Sequence, residues 1–240
     1  MEWTAVAQPI APLVQSEIHL YSAVLDIHHS GTLTHLLSAD EQERAQRLRF
    51  EQDRRRFIVR RGLLRQLLGV YLSQEAQTLK FAYTLHRKPY LPGYPLHFNV
   101  ADAEDRALFA FARYQALGVD LEHMHPMPDM EDVVSSMFSA TEQRMYRALP
   151  AAQKSAGFFN CWTRKEAFIK AMGEGLSYPL ADFDVSLKPG AAARVLAVRG
   201  DAQSAAAWTL LDLRPAKDFV GALAVVGHDW LVRSYALLAG

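Results

Sequence analysis

The pattern of apolar and polar positions along the chain predicts the same order of elements twice. In the first half, it predicts strands and helices at 17–27, 38–50, 53–72, 79–82 and 96–100. The second of these helices has one apolar side, which contains Phe57, Leu64, Leu67, Leu68 and Tyr71. Two further strands, 107–113 and 117–122, are predicted to pair around residues 114–116.

The second half follows the same order after a proline-containing loop. Capping boxes predict helix starts in both halves, at Ser38 with Glu41 and at Ser139 with Glu142. A long helix from about residue 151 is predicted to end at Gly173. Five strands complete the chain: 182–187, 194–198, 208–213, 219–226 and 231–237. The pattern predicts an α+β chain in two comparable halves, residues 1–115 and 116–240.

The helix that ends at Gly173 places two charged side chains at the edge of an apolar face. At 100° per residue, its buried stripe contains Phe158, Cys161, Trp162, Ile169 and Met172, with Phe168 at the margin. Glu166 follows Trp162 by one turn, and Lys170 follows Glu166 by another. This helix alone fits either an ordinary surface ion pair or two functional charges, and surface pairs are the commoner arrangement.

Composition limits the classes of function. Lys and Arg together number 26, as do Asp and Glu, so net charge gives no argument for nucleic acid or an acidic membrane as a partner. The N-terminal residues lack a signal-peptide pattern, and no apolar segment of about 18 residues predicts a membrane span. The single cysteine, Cys161, fits a buried structural thiol in a reducing compartment. We expect a cytoplasmic protein.

Positive charge is concentrated in one segment. No Lys or Arg precedes Arg44, whereas nine arginines lie from Arg44 to Arg65. Within the predicted helix, Arg56 and Arg60 lie one turn apart. The segment fits either a polyanion-binding surface or a solvated helix face. A nucleic-acid-binding module is disfavoured, because the chain is neutral overall and exposed aromatics do not alternate with these arginines.

Two carboxylates share one face of a predicted strand, because Asp120 and Glu122 are separated by one residue. Two buried acids repel each other unless a divalent cation joins them, and oxygen ligands favour Mg²⁺ or Mn²⁺. An exposed strand face is the alternative. A zinc site that includes His123 and His125 is a weaker alternative, because residues so close in sequence do not readily take tetrahedral positions around one ion. Glu166 is the candidate third ligand.

Several motifs in one order resemble those of the 4′-phosphopantetheinyl transferase superfamily, of its long, surfactin-synthetase-activating type. The two main motifs are Gly118–Glu122 and Trp162-x-x-Lys165-Glu166-x-x-x-Lys170. Weaker matches are the arginine-rich segment 38–68 and the segments 87–92, 97–100 and 138–142. The resemblance covers nearly the whole chain. It implies two pseudo-symmetric α+β halves with coenzyme A between them, and two joined halves lead us to expect a monomer.

The resemblance also implies a reaction. Phosphopantetheine would pass from coenzyme A to a serine of an apo acyl or peptidyl carrier protein, and adenosine 3′,5′-bisphosphate would leave. Matched position by position, Asp120, Glu122 and Glu166 would hold Mg²⁺ with the diphosphate. Lys170 would approach the α-phosphate or the leaving group. Charge stabilisation and positioning would supply most of the acceleration.

Further residues take roles from the same resemblance. Arg44, Arg56 and Lys88 match positions that contact the adenosine phosphates. Glu142 matches a proposed general base for the carrier serine, although a capping box explains it equally well. Lys165 matches a residue near the metal carboxylates that could accept the proton of the serine.

The chain departs from the family pattern at Ala101 and Asp102, where the family normally has Ser-His. An acid beside a phosphate would weaken coenzyme A binding unless Asp102 turns away or pairs with an arginine. The intact set of Asp120, Glu122, Glu166 and Lys170 favours an active transferase. The departure favours the alternative, a family member that binds coenzyme A or a carrier protein without turnover.

Overall fold

A computed structural model of the chain describes residues 2–8, 12–28, 30–173, 175 and 178–238. The elements of the first half are β1 Thr4–Val6, β2 Glu17–Val24, α1 Ser30–Leu33, α2 Ala39–Gln46, α3 Glu51–Leu72, β3 Ala82–Tyr83, β4 Pro89–Tyr90, β5 Leu96–Ala103 and β6 Arg106–Arg113. Those that follow are β7 Leu117–His123, α4 Met130–Met137, α5 Ala140–Arg147, α6 Ala151–Met172, β8 Phe183–Val185, β9 Val195–Val198, α7 Ala202–Ala206, β10 Trp208–Leu213, β11 Phe219–Val226 and β12 Leu231–Leu237. This is the α+β class predicted from the sequence.

Two larger sheets lie between two long helices. The first sheet has the strand order β1-β12-β2-β6-β5, and the second has the order β10-β11-β7. The face of the first sheet that carries Phe109 and Phe111 packs against α3. Its opposite face, with Leu108 and Ala110, packs against Val119 of the second sheet. The outer face of the second sheet packs against α6. The layers therefore follow the order helix, sheet, sheet, helix.

Alternation along β7 separates packing from chemistry. Leu117, Val119 and Leu121 are buried in the contact between the two sheets. Because successive side chains of a strand point to opposite faces, Asp120 and Glu122 point towards α6 instead. Side chains of β5 in the first sheet alternate in the same way: Phe98 packs on the side of α3, and Ala101 packs on the side of the second sheet.

Helix ends and the buried side of α3 confirm the sequence predictions. Both capping boxes form. Helix α6 ends at Met172, and Gly173 has φ +80°, a backbone conformation that glycine adopts without the steric cost of a side chain. The apolar side predicted for α3 is buried throughout. These features depend on local sequence, which is why periodicity and capping predict them.

Two strand predictions were wrong. β6 and β7 do not pair with each other: β6 lies between β2 and β5, whereas β7 pairs with β11. The segment predicted as a strand at 79–82 is mostly irregular, and β3 begins only at Ala82. There the carbonyl of Leu79 accepts a hydrogen bond from the buried Arg65 side chain instead of joining a ladder.

One strand crosses the division at residue 115, which stays a prediction. Cutting the chain at residue 115 places β12 in the second half, but β12 lies in the first sheet, parallel to both β1 and β2. The last strand therefore returns to the first half and ties the two together.

Helix α6 is buried on more than the predicted stripe. Phe158, Cys161 and Ile169 are buried as expected, and Phe168 is fully buried instead of marginal. Arg164 and Lys165 are buried too, because each has a carboxylate partner. The prediction of a single buried stripe is wrong, because α6 is covered on two sides. The second sheet covers one side, and α5 together with β8 covers the other.

Candidate active site

A cleft of about 610 Å³ lies between α6, the β3–β4 hairpin and Asn99 of β5. Lys88, Pro89 and Asn99 line it from the first half, and Glu166, Ile169 and Lys170 from α6. Asn99 also joins the halves, because its side-chain oxygen accepts a hydrogen bond from the backbone N–H of Val119 at 2.8 Å. Both halves therefore contribute polar groups to one site.

Gly118 allows β7 and α6 to approach closely enough to bring their charges together. A Cβ at this position would lie 2.1 Å from the carbonyl oxygen of Ala167 and 2.3 Å from the backbone nitrogen of Ala171. Those distances are too short for any residue other than glycine at this backbone separation. Asp120 follows two residues later on the same face of β7 and so meets α6 near Lys170.

Asp120 is buried and only partly satisfied. Its Oδ1 lies 2.6 Å from the ammonium of Lys170. Its Oδ2 is buried without a hydrogen-bond partner in the described part of the chain. Burial raises the pKa of Asp120, and the charge of Lys170 opposes that shift. An orphaned buried carboxylate oxygen is costly and marks a place where a further positive group would bind favourably.

Two more carboxylates share this environment. The indole N–H of Trp162 donates a hydrogen bond to Glu122 at 3.1 Å. Burial, followed by repulsion from Asp120, raises the pKa of Glu122 to about 7. Burial and then Asp120 also raise the pKa of Glu166. The structure thus brings the three predicted carboxylates into one electrostatic cluster, although they lie on two elements.

The donor chemistry of this cluster fits a hard divalent cation. Every candidate ligand is a carboxylate oxygen, and one oxygen of Asp120 lacks a partner. Within the described residues, however, no three His, Cys, Asp or Glu side chains converge as a preformed metal cage. The ammonium of Lys170 supplies the positive charge beside Asp120. A cation could bind the unpartnered Oδ2, while Lys170 contacts Oδ1.

Lys88 links the hairpin to both β7 and α6. Its ammonium donates to the carbonyls of Leu117 at 3.0 Å and Lys170 at 2.5 Å. Burial, together with repulsion from Lys170, lowers the pKa of Lys88 to about 8. An ammonium has three N–H donors, so one remains for a ligand in the cleft.

Glu142 and Lys165 form a buried pair whose hydrogen-bonding groups are all used. The ammonium of Lys165 donates to both Glu142 oxygens at 2.7 Å and to the carbonyl of Phe183 at 2.7 Å. Glu142 also accepts from the backbone N–H groups of Ser139 and Val185. Exposure is 0% for Glu142 and 1% for Lys165, so neither presents a free polar atom to a carrier serine. This geometry favours the capping and packing role of Glu142.

Comparison with known proteins decides the family. The family model described as 4′-phosphopantetheinyl transferase superfamily matches residues 116–224, and the one described as 4′-phosphopantetheinyl transferase, N-terminal, matches residues 26–112. The 4′-phosphopantetheinyl transferase HetI of Nostoc sp. is 37% identical over 228 residues, which are 92% of this chain and 93% of that protein.

The chain belongs to the 4′-phosphopantetheinyl transferase superfamily.

Other relatives are more distant. Sfp, a 4′-phosphopantetheinyl transferase of Bacillus subtilis, is 28% identical over 63% of this chain and 66% of its own length. The solved holo-[acyl-carrier-protein] synthase of Thermotoga maritima is 20% identical, with a TM-score of 0.38 over 47% of this chain and 62% of its own. The family predicted from the sequence motifs is therefore confirmed by sequence relatives alone.

In this phosphopantetheinyl transferase superfamily member, the arginines of the first half have unequal surroundings. Arg65 is buried and holds Glu41 at 2.7 Å, so it is a structural residue. Arg56 binds Asp26 through two hydrogen bonds of 2.9 and 2.8 Å. Arg44 has no carboxylate within ion-pair distance among the described residues, and it lies over the ring of Phe57, 5.3 Å from its centroid. Arg44 is thus more readily available to an anion than Arg56.

Some residues of the site had no functional prediction. Trp162 was assigned to the apolar stripe, yet its N–H holds Glu122. Asn99 belonged to a recognised motif, but its bond to Val119 requires the packing of β5 on β7. Within the described residues, His123 and His125 belong to no group of three His, Cys, Asp or Glu side chains that could hold a metal ion. The described helices include none long and apolar enough to cross a membrane.

Proposed function

We propose that this protein transfers 4′-phosphopantetheine from coenzyme A to a serine of an apo acyl or peptidyl carrier protein, with Mg²⁺ bound by Asp120, Glu122 and Glu166. The observation that carries the proposal is the buried Oδ2 of Asp120, which lacks a partner in the described residues. It lies near two further carboxylates and a lysine, of which Glu166 and Lys170 line a cleft that both halves form.

The ion would supply charge neutralisation for the diphosphate and would lower the repulsion among the three carboxylates. Mn²⁺ would satisfy the same oxygen donors. Lys170 exchanges its contact with Asp120 for a phosphate oxygen, and Lys88 offers its remaining N–H to the same diphosphate. These two lysines hold the substrate while the cleft positions it for attack.

The reaction is a displacement at phosphorus. The serine oxygen bonds to the phosphorus that carries pantetheine, and the bond from that phosphorus to the bridging oxygen breaks. Adenosine 3′,5′-bisphosphate leaves with the bridging oxygen. The hydroxyl proton of the serine goes to the oxygen of Glu166 that does not hold the ion, and this carboxylate lines the cleft.

Glu142 and Lys165 take a positioning role in this proposal, instead of the proton transfer expected from the family resemblance. Their buried pair fixes α6 against α5 and β8. Lys165 precedes Glu166 directly on α6, so the pair helps to set the direction of that carboxylate. Arg44 and Arg56 would contact the adenosine phosphates, Arg56 after a partial exchange with Asp26.

The test is to incubate the protein with coenzyme A, Mg²⁺ and several apo carrier proteins and to weigh the carriers by mass spectrometry. We expect a gain of one phosphopantetheine group, which Asp120→Asn reduces at least about 100-fold because an amide is a poor metal ligand. Glu75→Gln, which neutralises an exposed carboxylate, is the matched control. If no carrier gains mass while calorimetry shows coenzyme A binding, the non-catalytic alternative replaces this proposal.

A further inference from the structure

Asp102 occupies an unusual position for an acid in a phosphate-binding protein. It lies on β5, four residues after Phe98. Because side chains alternate along a strand, Asp102 shares the face of Phe98, which is the side of the sheet that faces α3. Its carboxylate forms an ion pair with Arg60 of α3. The exposed fractions of the two side chains are 27% for Arg60 and 40% for Asp102, so water and small ions reach the pair.

Arg60 adjoins both arginines assigned to nucleotide phosphates. It lies one helical turn after Arg56. It also shares the ring of Phe57 with Arg44: the two guanidinium carbons lie 5.8 and 5.3 Å from its centroid. An anion bound by Arg44 would therefore lie within the field of Arg60, which is paired with the carboxylate of Asp102.

Coenzyme A carries its phosphates in two groups. Its diphosphate is assigned to the cluster of Asp120, Lys170 and Lys88, at the junction of β7 and α6. The remaining group is the 3′-phosphomonoester of the ribose, a dianion near neutral pH. A dianion with three acceptor oxygens competes well for an arginine against a single exposed carboxylate, because exposed ion pairs are weak.

We propose that Asp102 is an intramolecular competitor for the 3′-phosphomonoester of coenzyme A. In the free protein Asp102 holds Arg60. On binding, the 3′-phosphate takes Arg60 over, and Asp102 remains nearby as a repelling charge. Asp102 thereby weakens binding and reduces the preference for ligands that carry a 3′-phosphate. This inference takes the identity of its ligand from the proposed function. Its test measures nucleotide binding and does not depend on the transfer reaction.

The test measures binding, not turnover. Calorimetry compares adenosine 3′,5′-bisphosphate with adenosine 5′-monophosphate, two ligands that differ only in the 3′-phosphate. With Asp102→Asn we expect the dissociation constant of the bisphosphate to fall about tenfold at about 0.15 M salt, the effect of removing one partly screened charge. The constant of the monophosphate should change less than about twofold, since that ligand lacks the competing group.

A double-mutant cycle identifies the partner. Arg60→Gln should weaken bisphosphate binding, and in that background Asp102→Asn should keep only the part of its effect that comes from direct repulsion of the phosphate. Glu75→Gln neutralises an exposed carboxylate that forms no ion pair with an arginine in the described part of the chain, and it is the control. Unchanged unfolding midpoints of the variants exclude a folding defect.

Three results would overturn the inference. Weaker bisphosphate binding in Asp102→Asn would mean that Asp102 positions Arg60 instead of competing for it. Equal gains for both nucleotides would place the 5′-phosphate, not the 3′-phosphate, at Arg60. No binding of either nucleotide to any variant would remove the site altogether. Failure of carrier modification with the expected binding pattern would reject the proposed transfer reaction and leave the competition by Asp102 standing.

Discussion

The approach of β7 to α6 at Gly118 can be tested by adding one methyl group. In Gly118→Ala the new Cβ would lie 2.1 Å from the carbonyl oxygen of Ala167, about 0.9 Å short of the 3.0 Å below which real Cβ atoms are essentially never found. The obstacles are backbone atoms of α6, which cannot rotate away as a side chain does. The helix and strand must therefore separate by about an ångström.

That separation has two expected costs. Overpacking a well-packed interior lowers the free energy of unfolding by about 1–3 kcal/mol. A shift of about 1 Å between β7 and α6 moves Asp120 away from Glu166 and Lys170, and misplacement of that size lowers catalytic rates about 100-fold. Urea unfolding measures the first cost, and the rate of carrier modification at saturating coenzyme A measures the second.

Gly31→Ala is the control, because a Cβ at Gly31 meets no atom within 4 Å. It should leave unfolding free energy and rate nearly unchanged. The reasoning would be refuted if Gly118→Ala kept both the stability and the rate of the wild type. A stable variant with a lost rate would still support it, since α6 could retreat without unfolding.

Three other variants test separate contacts. Lys165→Met leaves Glu142 buried without its cation and should lower the free energy of unfolding, measured by urea titration, by about 3–5 kcal/mol. Adding Glu142→Leu should restore part of that stability. If it restores none, the lost ion pair is not the cause. The charge of Lys88 is present below its pKa of about 8 and is lost above it, so KM for coenzyme A should rise above pH 8. In Lys88→Arg, KM should change less with pH. Identical pH profiles of KM for the wild type and the variant would exclude Lys88 as a ligand of coenzyme A. Trp162→Phe removes the hydrogen bond to Glu122 and should raise the Mg²⁺ concentration for half-maximal rate about tenfold, a change that a purely structural tryptophan would not cause.

Sequence patterns predicted the parts of the site that depend on local periodicity. Asp120 and Glu122 were placed on one strand face because side chains alternate. Glu166 and Lys170 were placed one turn apart because a helix repeats every 3.6 residues. Both relations hold within a single element, so no knowledge of tertiary packing was needed. The apolar side of α3 was predictable for the same reason.

Contacts between distant segments were not predictable in this way. No periodicity shows that β12 pairs with β2, more than 200 residues earlier in the chain. None shows that Lys165 reaches Glu142, or that Asp102 meets Arg60. Sequence reasoning identified the charge of Asp102 as a problem for phosphate binding, and the structure supplies its partner. Such pairs depend on which faces of two elements meet, which tertiary packing decides.

The three consecutive charged residues Arg164, Lys165 and Glu166 explain why α6 tolerates buried charge. Because each residue advances 100° around a helix, the three side chains leave in three directions. Arg164 binds Asp212 at 2.8 Å on β10, and Lys165 binds Glu142 on α5. Apolar side chains of similar volume often match or exceed the stability of buried ion pairs. They would, however, fix the rotation of the helix less specifically, since the hydrophobic effect is non-directional whereas hydrogen-bonded ion pairs have a preferred geometry. Two ion pairs on different sides fix the rotation of α6, and the third residue, Glu166, is thereby held towards Asp120 in the cleft.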